Sequence, residues 1–329
     1  MNSTPNDIPS PPPVISVVVP MHNEAQNLAP FYDRLSVVLE DLGLPWELLC
    51  INDGSTDDTL KHLLSLQTRD SRITILDLSR NFGKEAALTA GLLEARGEVA
   101  IPMDADLQDP PELIPSLISQ WRAGFDMVLA TRSSRHTDDW LKRRTAGWFY
   151  ALMNRLSDVP IPANAGDFRL MNRTVVEALR QFPERRRFMK GLFAWVGFKV
   201  TSVSYERPER QAGVSKFNFW RLWNFALEGI TSFSHVPLRM ASYMGFVVSL
   251  VTFLYALKII FDTLIYGNAV KGYPSLMVAI LFFAGVQLMA LGIIGEYLGR
   301  LYEESKQRPL YFIRTCYGPT RSHPSGKTS

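Results

Sequence analysis

Four acids fall within the ten residues MDADLQDPPE, Met103 to Glu112. Carboxylates this close repel one another unless a cation or a hydrogen-bonded geometry offsets their charge. The local pattern separates the four into two pairs. DPPELIPSLISQW reads as a helix start, with Asp109 at the cap, Pro110 at the first helical position and Glu112 three residues after the cap. That spacing predicts a capping box. Asp104 and Asp106 precede the cap and close the apolar run EVAIPM. With the Gln108 amide they form an oxygen-rich set suited to Mg²⁺ or Mn²⁺, ions that keep positions open for phosphate oxygens. A solvated acidic loop would carry the same residues, and D-x-D alone does not separate the two readings.

Chemistry of this kind needs elements that hold the acids in place. VISVVVP is a β-branched run stopped by proline, WELLCIND is a second strand, and SLQTRDSRITILDLS contains a third. EVAIPMDAD is a fourth. Between them, NLAPFYDRLSVVLEDLG has helical periodicity and a glycine stop, and GKEAALTAGLLEARG is rich in helix formers between Gly83 and Gly97. Alternating strands and helices predict an α/β fold, with a mostly parallel sheet covered on both faces. Ligands of such sheets sit at the carboxyl ends of the strands. Those ends read PMHNE, INDGS, LSRNFG and MDAD, which is where the polar residues are.

The 329 residues suffice for one large domain or two modest ones, and the net charge of +3 is too small to argue for a nucleic-acid partner. Cys50 and Cys316 lie far apart, the first in an apolar run, so no disulfide framework is expected. MNSTPNDIPSPPP has neither a basic nor an apolar leader region and reads as a disordered tail over residues 1–13. After Phe217 the character changes. FNFWRLWNFALEGITSF has aromatics at near-helical spacing beside Lys216 and Arg221, as an interfacial amphipathic helix would. Met240 to Leu257 carries no charge over 18 residues, and Tyr273 to Gly295 none over 23. Each meets the roughly 20 apolar residues that a bilayer demands. The short YGNAVKGY between them makes a hairpin. Basic residues flank that hairpin on its outer ends, Arg239 before it and Arg300, Lys306, Arg308 and Arg314 after it. The positive-inside rule therefore puts the catalytic domain and both termini in the cytoplasm.

VVVPMHNEAQNL, INDGSTDDT, LSRNFGKEAAL and MDADLQDPPELI, in this order, resemble the GT-A-fold inverting glycosyltransferases of family two over about Ile15 to Lys216. FRLM, RRFMKGLFAWVGF and RQAGVSKF, followed by the apolar hairpin, narrow the likeness. They are similar to the polyprenyl-phosphate glycosyltransferases, relatives of dolichyl-phosphate mannose synthase, and among them to the bactoprenol glucosyltransferases. The resemblance implies a GT-A domain over 14–216, an interfacial helix over 217–236, a transmembrane hairpin over 237–302 with spans near 240–262 and 274–298, and a cytoplasmic tail over 303–329. It implies transfer of a hexose from a UDP-sugar to a polyprenyl phosphate at the bacterial inner membrane. Glucose is the first choice of sugar. Mannose, N-acetylglucosamine, aminoarabinose and a homo-oligomeric state stay open.

The same resemblance assigns roles. Pro20, Glu24 and Asp53 would hold the nucleoside; Asp104, Asp106 and Gln108 the metal on the diphosphate; Arg132, Arg210 and Lys216 the acceptor phosphate, with Arg132 also near the donor. Asp106 and Asp167 would be the catalytic acids. NDGS and STDD also make a good turn and helix start, so Asp53 has a local reading as well. Asp167 is equally readable as a buried acid paired with Arg169, and Lys84 as a phosphate ligand or a solvated helix lysine. The other basic clusters, Arg135 to Arg144 and Arg185 to Lys190, suit a solvated face or anionic headgroups. A dehydrogenase is disfavoured by the absence of G-x-G-x-x-G, and a processive synthase by the absence of Q-x-x-R-W. A membrane scaffold that keeps the fold without the activity is the remaining alternative.

Overall fold

A computed structural model describes residues 13–132, 165–184, 189–205, 236–266 and 272–318. The chain forms two compact units. One comprises Met1–Tyr150, Ile161–Lys216 and Pro309–Ser329; the other comprises Ala151–Pro160 and Phe217–Arg308.

The first unit is built on an eight-stranded sheet. Strands β1 (Ile15–Met21), β2 (Trp46–Asn52), β3 (Ile73–Leu78) and β4 (Val99–Pro102) form its parallel centre, with β4 and β2 on either side of β1. Their near-continuous apolar runs follow from burial on both faces. Val17 and Val19 join the cluster that includes Leu28, Phe31, Leu35 and Leu39 of helix α1 (Leu28–Asp41) and Leu63 of α2 (Thr59–Arg69). Val18 points the other way, toward α3 (Lys84–Glu94). There Gly91 lets the helix come so close that a Cβ would lie 2.3 Å from Val18. Small residues on α3 thus set the height of the loop that precedes it.

Past β4 the sheet becomes mixed. A 3₁₀ turn (Pro111–Leu113) and α4 (Ile114–Arg122) lead into β5 (Met127–Arg132). Strand β6 (Ala165–Asn172) fits between β4 and β5, antiparallel to both. Helices α5 (Arg173–Arg180) and α6 (Met189–Trp195) come next, and β7 (Val200–Tyr205) runs parallel to β5 at one edge. The direction of β6 matters for the site. Ala100 pairs with Met171, so continuing that register four residues past Ala100, two beyond the end of β4, brings Asp104 level with Asp167.

The opposite edge is closed by a strand that the sequence did not announce. Ile313–Tyr317, read from sequence as part of a tail, forms β8 antiparallel to β3. In the second unit, α7 (Val236–Tyr266) and α8 (Tyr273–Ser305) contain the two apolar stretches and pack on each other. Among the described residues one helix, over Phe282–Ser305, is long and apolar enough to cross a membrane; α7 contributes a shorter apolar stretch, Gly245–Tyr255. Lys258 and Asp262 break the run in α7. The interfacial helix expected over 217–236 lies almost wholly outside the described residues.

Candidate active site

Side chains from the loops after β1 and β2 lock those loops together. Asn23, at φ +60°, accepts from the Thr56 N–H at 2.8 Å, and the Asn23 N–H donates to Ser55 Oγ at 3.0 Å. Thr59 Oγ1 accepts from the Glu24 N–H at 2.8 Å. Gly54 has φ +61°, and a Cβ there would lie 2.4 Å from the Asn81 nitrogen. The NDGS turn therefore needs glycine for its backbone angle and for the close passage of the loop after β3.

Asp53 is 3 % exposed, and its carboxylate accepts from the backbone N–H groups of Phe82 at 2.7 Å and Gly83 at 2.9 Å. It gathers the loop after β3 around itself, while each oxygen keeps a further lone pair. Asn52, just before it, is anchored by donating to buried Asp77 at 2.7 Å. Pro20 lies near the end of β1, opposite Ile51. Glu24 accepts from Asn27 at 2.6 Å. Burial pushes the Glu24 carboxyl above the usual range; the Asn27 bond opposes this, and the nearby carboxylates of Asp106, Asp104 and Asp57 add to the rise.

One ammonium group joins Asp104 and Asp167. Lys84 opens α3, and its Nζ lies 2.7 Å from Asp104 Oδ1, 2.9 Å from Asp104 Oδ2 and 2.7 Å from Asp167 Oδ2. Burial disfavours its charge, but Asp104 and Asp167 outweigh that and raise its pKa. The antiparallel course of β6 is what delivers Asp167 to this point. Asp106 Oδ1 accepts from the Gln108 N–H at 3.1 Å across Leu107, which has φ +57°. Gln108 is 5 % exposed, and its Nε2 has no protein partner. Among the described residues, no three His, Cys, Asp or Glu side chains form a closed metal cage. Two aspartates and an amide are instead the partial oxygen set by which an octahedral divalent ion is held when phosphates supply the remaining ligands. The residues therefore fit such an ion.

Several expectations change. Asp109 and Glu112 do not form a capping box: Pro110 takes the cap position, and no side chain caps the turn. Asp109 is buried and accepts from the Tyr205 hydroxyl at 2.9 Å, tying the loop after β4 to the end of β7. Glu112 is exposed and takes a bidentate ion pair from Arg34. Asp167 forms an ion pair with Lys84 at 2.7 Å, and its charge also acts on the nearby Arg169. Arg169 donates to the Gly166 carbonyl at 2.6 Å and stacks 4.0 Å over Phe193, and burial pushes its pKa down to about 10. Arg132 closes β5 beside Tyr205. Arg210, Lys216 and the clusters at 135–144 and 185–188 lie outside the described residues. Tyr205 carries no signal in the sequence, since its partner is 96 residues away.

Comparison with known proteins shows the family of the chain. The sequence profile described as glycosyl transferase family 2 matches residues 16–180, and that of the GtrB C-terminal hairpin matches 236–301. The bactoprenol glucosyl transferase of Shigella phage SfV is 53% identical over 91% of this chain and 98% of its own. A prophage bactoprenol glucosyl transferase homolog of Escherichia coli K12 is 53% identical over the same shares, 91% and 98%. A crystal structure of glucosyl-3-phosphoglycerate synthase from Mycobacterium tuberculosis covers 67% of this chain and 78% of its own at 19% identity and a TM-score of 0.44.

Proposed function

We propose that this chain, which belongs to glycosyl transferase family 2, transfers glucose from UDP-glucose to a polyprenyl phosphate. The observation that carries the reading is the 53% identity to bactoprenol glucosyl transferases, which runs through both the sheet and the hairpin segment. The geometry supports a mechanism. Asp53, held by two backbone N–H groups, retains lone pairs for the uracil N–H, with Pro20 near the end of β1 and Glu24 on the loop that follows it. Asp104 and Asp106, with Gln108, would hold a divalent ion that supplies positive charge to the leaving diphosphate. Lys84 neutralises Asp104 and Asp167 beforehand and is placed to follow the diphosphate as its charge develops.

The acceptor oxygen needs no strong base, because the second pKa of a phosphate monoester is near 6. That oxygen attacks the anomeric carbon. The bond from this carbon to the diphosphate oxygen breaks, and its electron pair leaves on UDP. One displacement inverts the centre. Asp167, held by Lys84 at 2.7 Å, orients the sugar or the incoming phosphate. Arg132, Arg210 and Lys216 bind the acceptor phosphate, Arg through a planar fork and Lys as a point charge.

The second unit serves as the membrane anchor, with α7 and α8 as two spans and the sheet on the cytoplasmic side. Support comes from the outward apolar side chains Phe246, Leu250, Leu254, Leu288, Leu291 and Leu298, all 48% exposed or more. Purified full-length protein in detergent, given undecaprenyl phosphate and a panel of sugar nucleotides, tests the reading. UDP-glucose should be the preferred donor, and NMR of the product should show the inverted anomer. Retention of configuration, or preference for another donor, would overturn the corresponding part.

A further inference from the structure

We propose that the segment following the hairpin is a working part of the donor site: β8, with Phe312 and Arg314, holds the loop Ser79–Gly83 in the form that Asp53 requires. This rests on the reading that Asp53 faces the nucleoside.

Three observations converge on that loop. The Ser79 N–H donates to the Phe312 carbonyl at 2.9 Å, and the Ser79 carbonyl accepts from Arg314 at 2.6 Å, so both backbone groups at the loop's first residue are held by the segment 312–314. The Phe312 ring lies 6.4 Å from that of Phe82, whose N–H binds Asp53. The ladder also breaks register here. Asp77 pairs with Thr315 but Leu78 with Ile313, which leaves Arg314 as the extra residue of a bulge. Bulges re-aim side chains and recur beside active sites. This one lets Arg314 reach the Ser79 carbonyl and lie 3.5 Å from buried Asp77. Asp77 in turn anchors Asn52, the residue before Asp53.

The segment thus supports Asp53 from both sides, through Asp77 and Asn52 below and through Phe82 and Gly83 above. The same loop ends at Gly83, φ +97°, and delivers Lys84 to Asp104 and Asp167. Phe312 is 57% exposed and the Arg314 side chain 60%, so neither contributes much to the core. Their contacts serve the loop, and their role is one of positioning.

The test uses full-length protein in detergent carrying Phe312→Ala together with Arg314→Ala. Without nucleotide, hydrogen exchange at the Phe82 and Gly83 amides should quicken, while amides in the middle of β1 stay protected. With Mn²⁺ present, the Kd for UDP should rise about fivefold to tenfold, the loss of one to two hydrogen bonds. The KM for the polyprenyl phosphate should change little, and Arg314→Lys should recover part of the loss through Asp77. Unchanged exchange at residues 82 and 83 would overturn the clip itself. Faster exchange with unchanged UDP affinity would overturn its role in the donor site. A wild-type protein that binds no UDP, with exchange still dependent on Phe312 and Arg314, would leave the clip standing and remove the nucleotide reading instead.

Discussion

Lys84 is the residue on which the charge balance of the site turns. Its ammonium stands between Asp104 and Asp167, where an unbalanced pair of carboxylates would repel. A divalent ion bound without nucleotide must compete with that ammonium for Asp104. Replacing Lys84 by Met should therefore tighten Mn²⁺ binding to the nucleotide-free protein, while sugar transfer falls. These ion pairs are partly exposed, so the gain should be about threefold to tenfold in Kd, readable by calorimetry. Weaker Mn²⁺ binding would show that Lys84 orders the aspartates and does not compete for them. Glu24 carries the opposite strain. Burial and the neighbouring acids raise its pKa above 4.5, so the folded chain holds this proton more tightly than the unfolded one. Ionised Glu24 therefore costs stability at neutral pH, and the cost fades as pH falls through the raised value. Glu24→Gln should melt higher than wild type at neutral pH, with the difference closing toward pH 4.5. A difference that grows on acidification would reverse the sign.

At the level of elements, the central sheet was legible because its strands are short, largely apolar runs followed by polar residues. WELLCIND carries both its strand and Asp53, the start of the loop that follows. Asp104 and Asp106 stood out for the same reason, whereas Glu24 and Asp53 drew their roles from the family resemblance. The rest depends on partners far along the chain. DPPE has every local mark of a capping box, yet Asp109 spends its carboxylate on Tyr205, because β7 ends beside β5 and brings a buried hydroxyl within reach. Lys84 and Asp167 meet only because β6 runs antiparallel to β4, which no local pattern encodes. This distinction can be measured. Tyr205→Phe should lower unfolding stability by about 1–2 kcal/mol, since a buried carboxylate loses a donor. Glu112→Ala should cost under about 0.5 kcal/mol, since its pair with Arg34 is exposed. Comparable losses from both, followed by thermal unfolding, would restore the capping box.

For the whole molecule, the chain leaves the first unit near Lys216 and returns to it at Pro309, so the catalytic sheet is finished only after the hairpin segment has been made. A soluble fragment ending at Ser215 has the outline of a catalytic domain, but it lacks β8 and leaves the β3 edge unpaired. Exposed strand edges recruit other chains. Such a fragment should self-associate on size exclusion and melt below a fragment to which residues 309–329 are restored in trans. Equal melting and a monomeric profile would show that β8 is dispensable to the sheet.

At the centre of the proposed activity stand the acids after β4, which would drive transfer from a UDP-sugar to a lipid phosphate. The most direct measurement is glucose transfer from UDP-glucose to undecaprenyl phosphate in neutral detergent, by wild type with and without EDTA and by Asp106→Ala with saturating Mn²⁺. Transfer by wild type should stop in EDTA and return with added Mn²⁺. Asp106→Ala should stay below about a thousandth of wild-type turnover while keeping its fold, the scale on which losing a key transition-state charge contact is felt. Turnover by Asp106→Ala near the wild-type rate, or wild-type transfer indifferent to EDTA, would contradict the assignment.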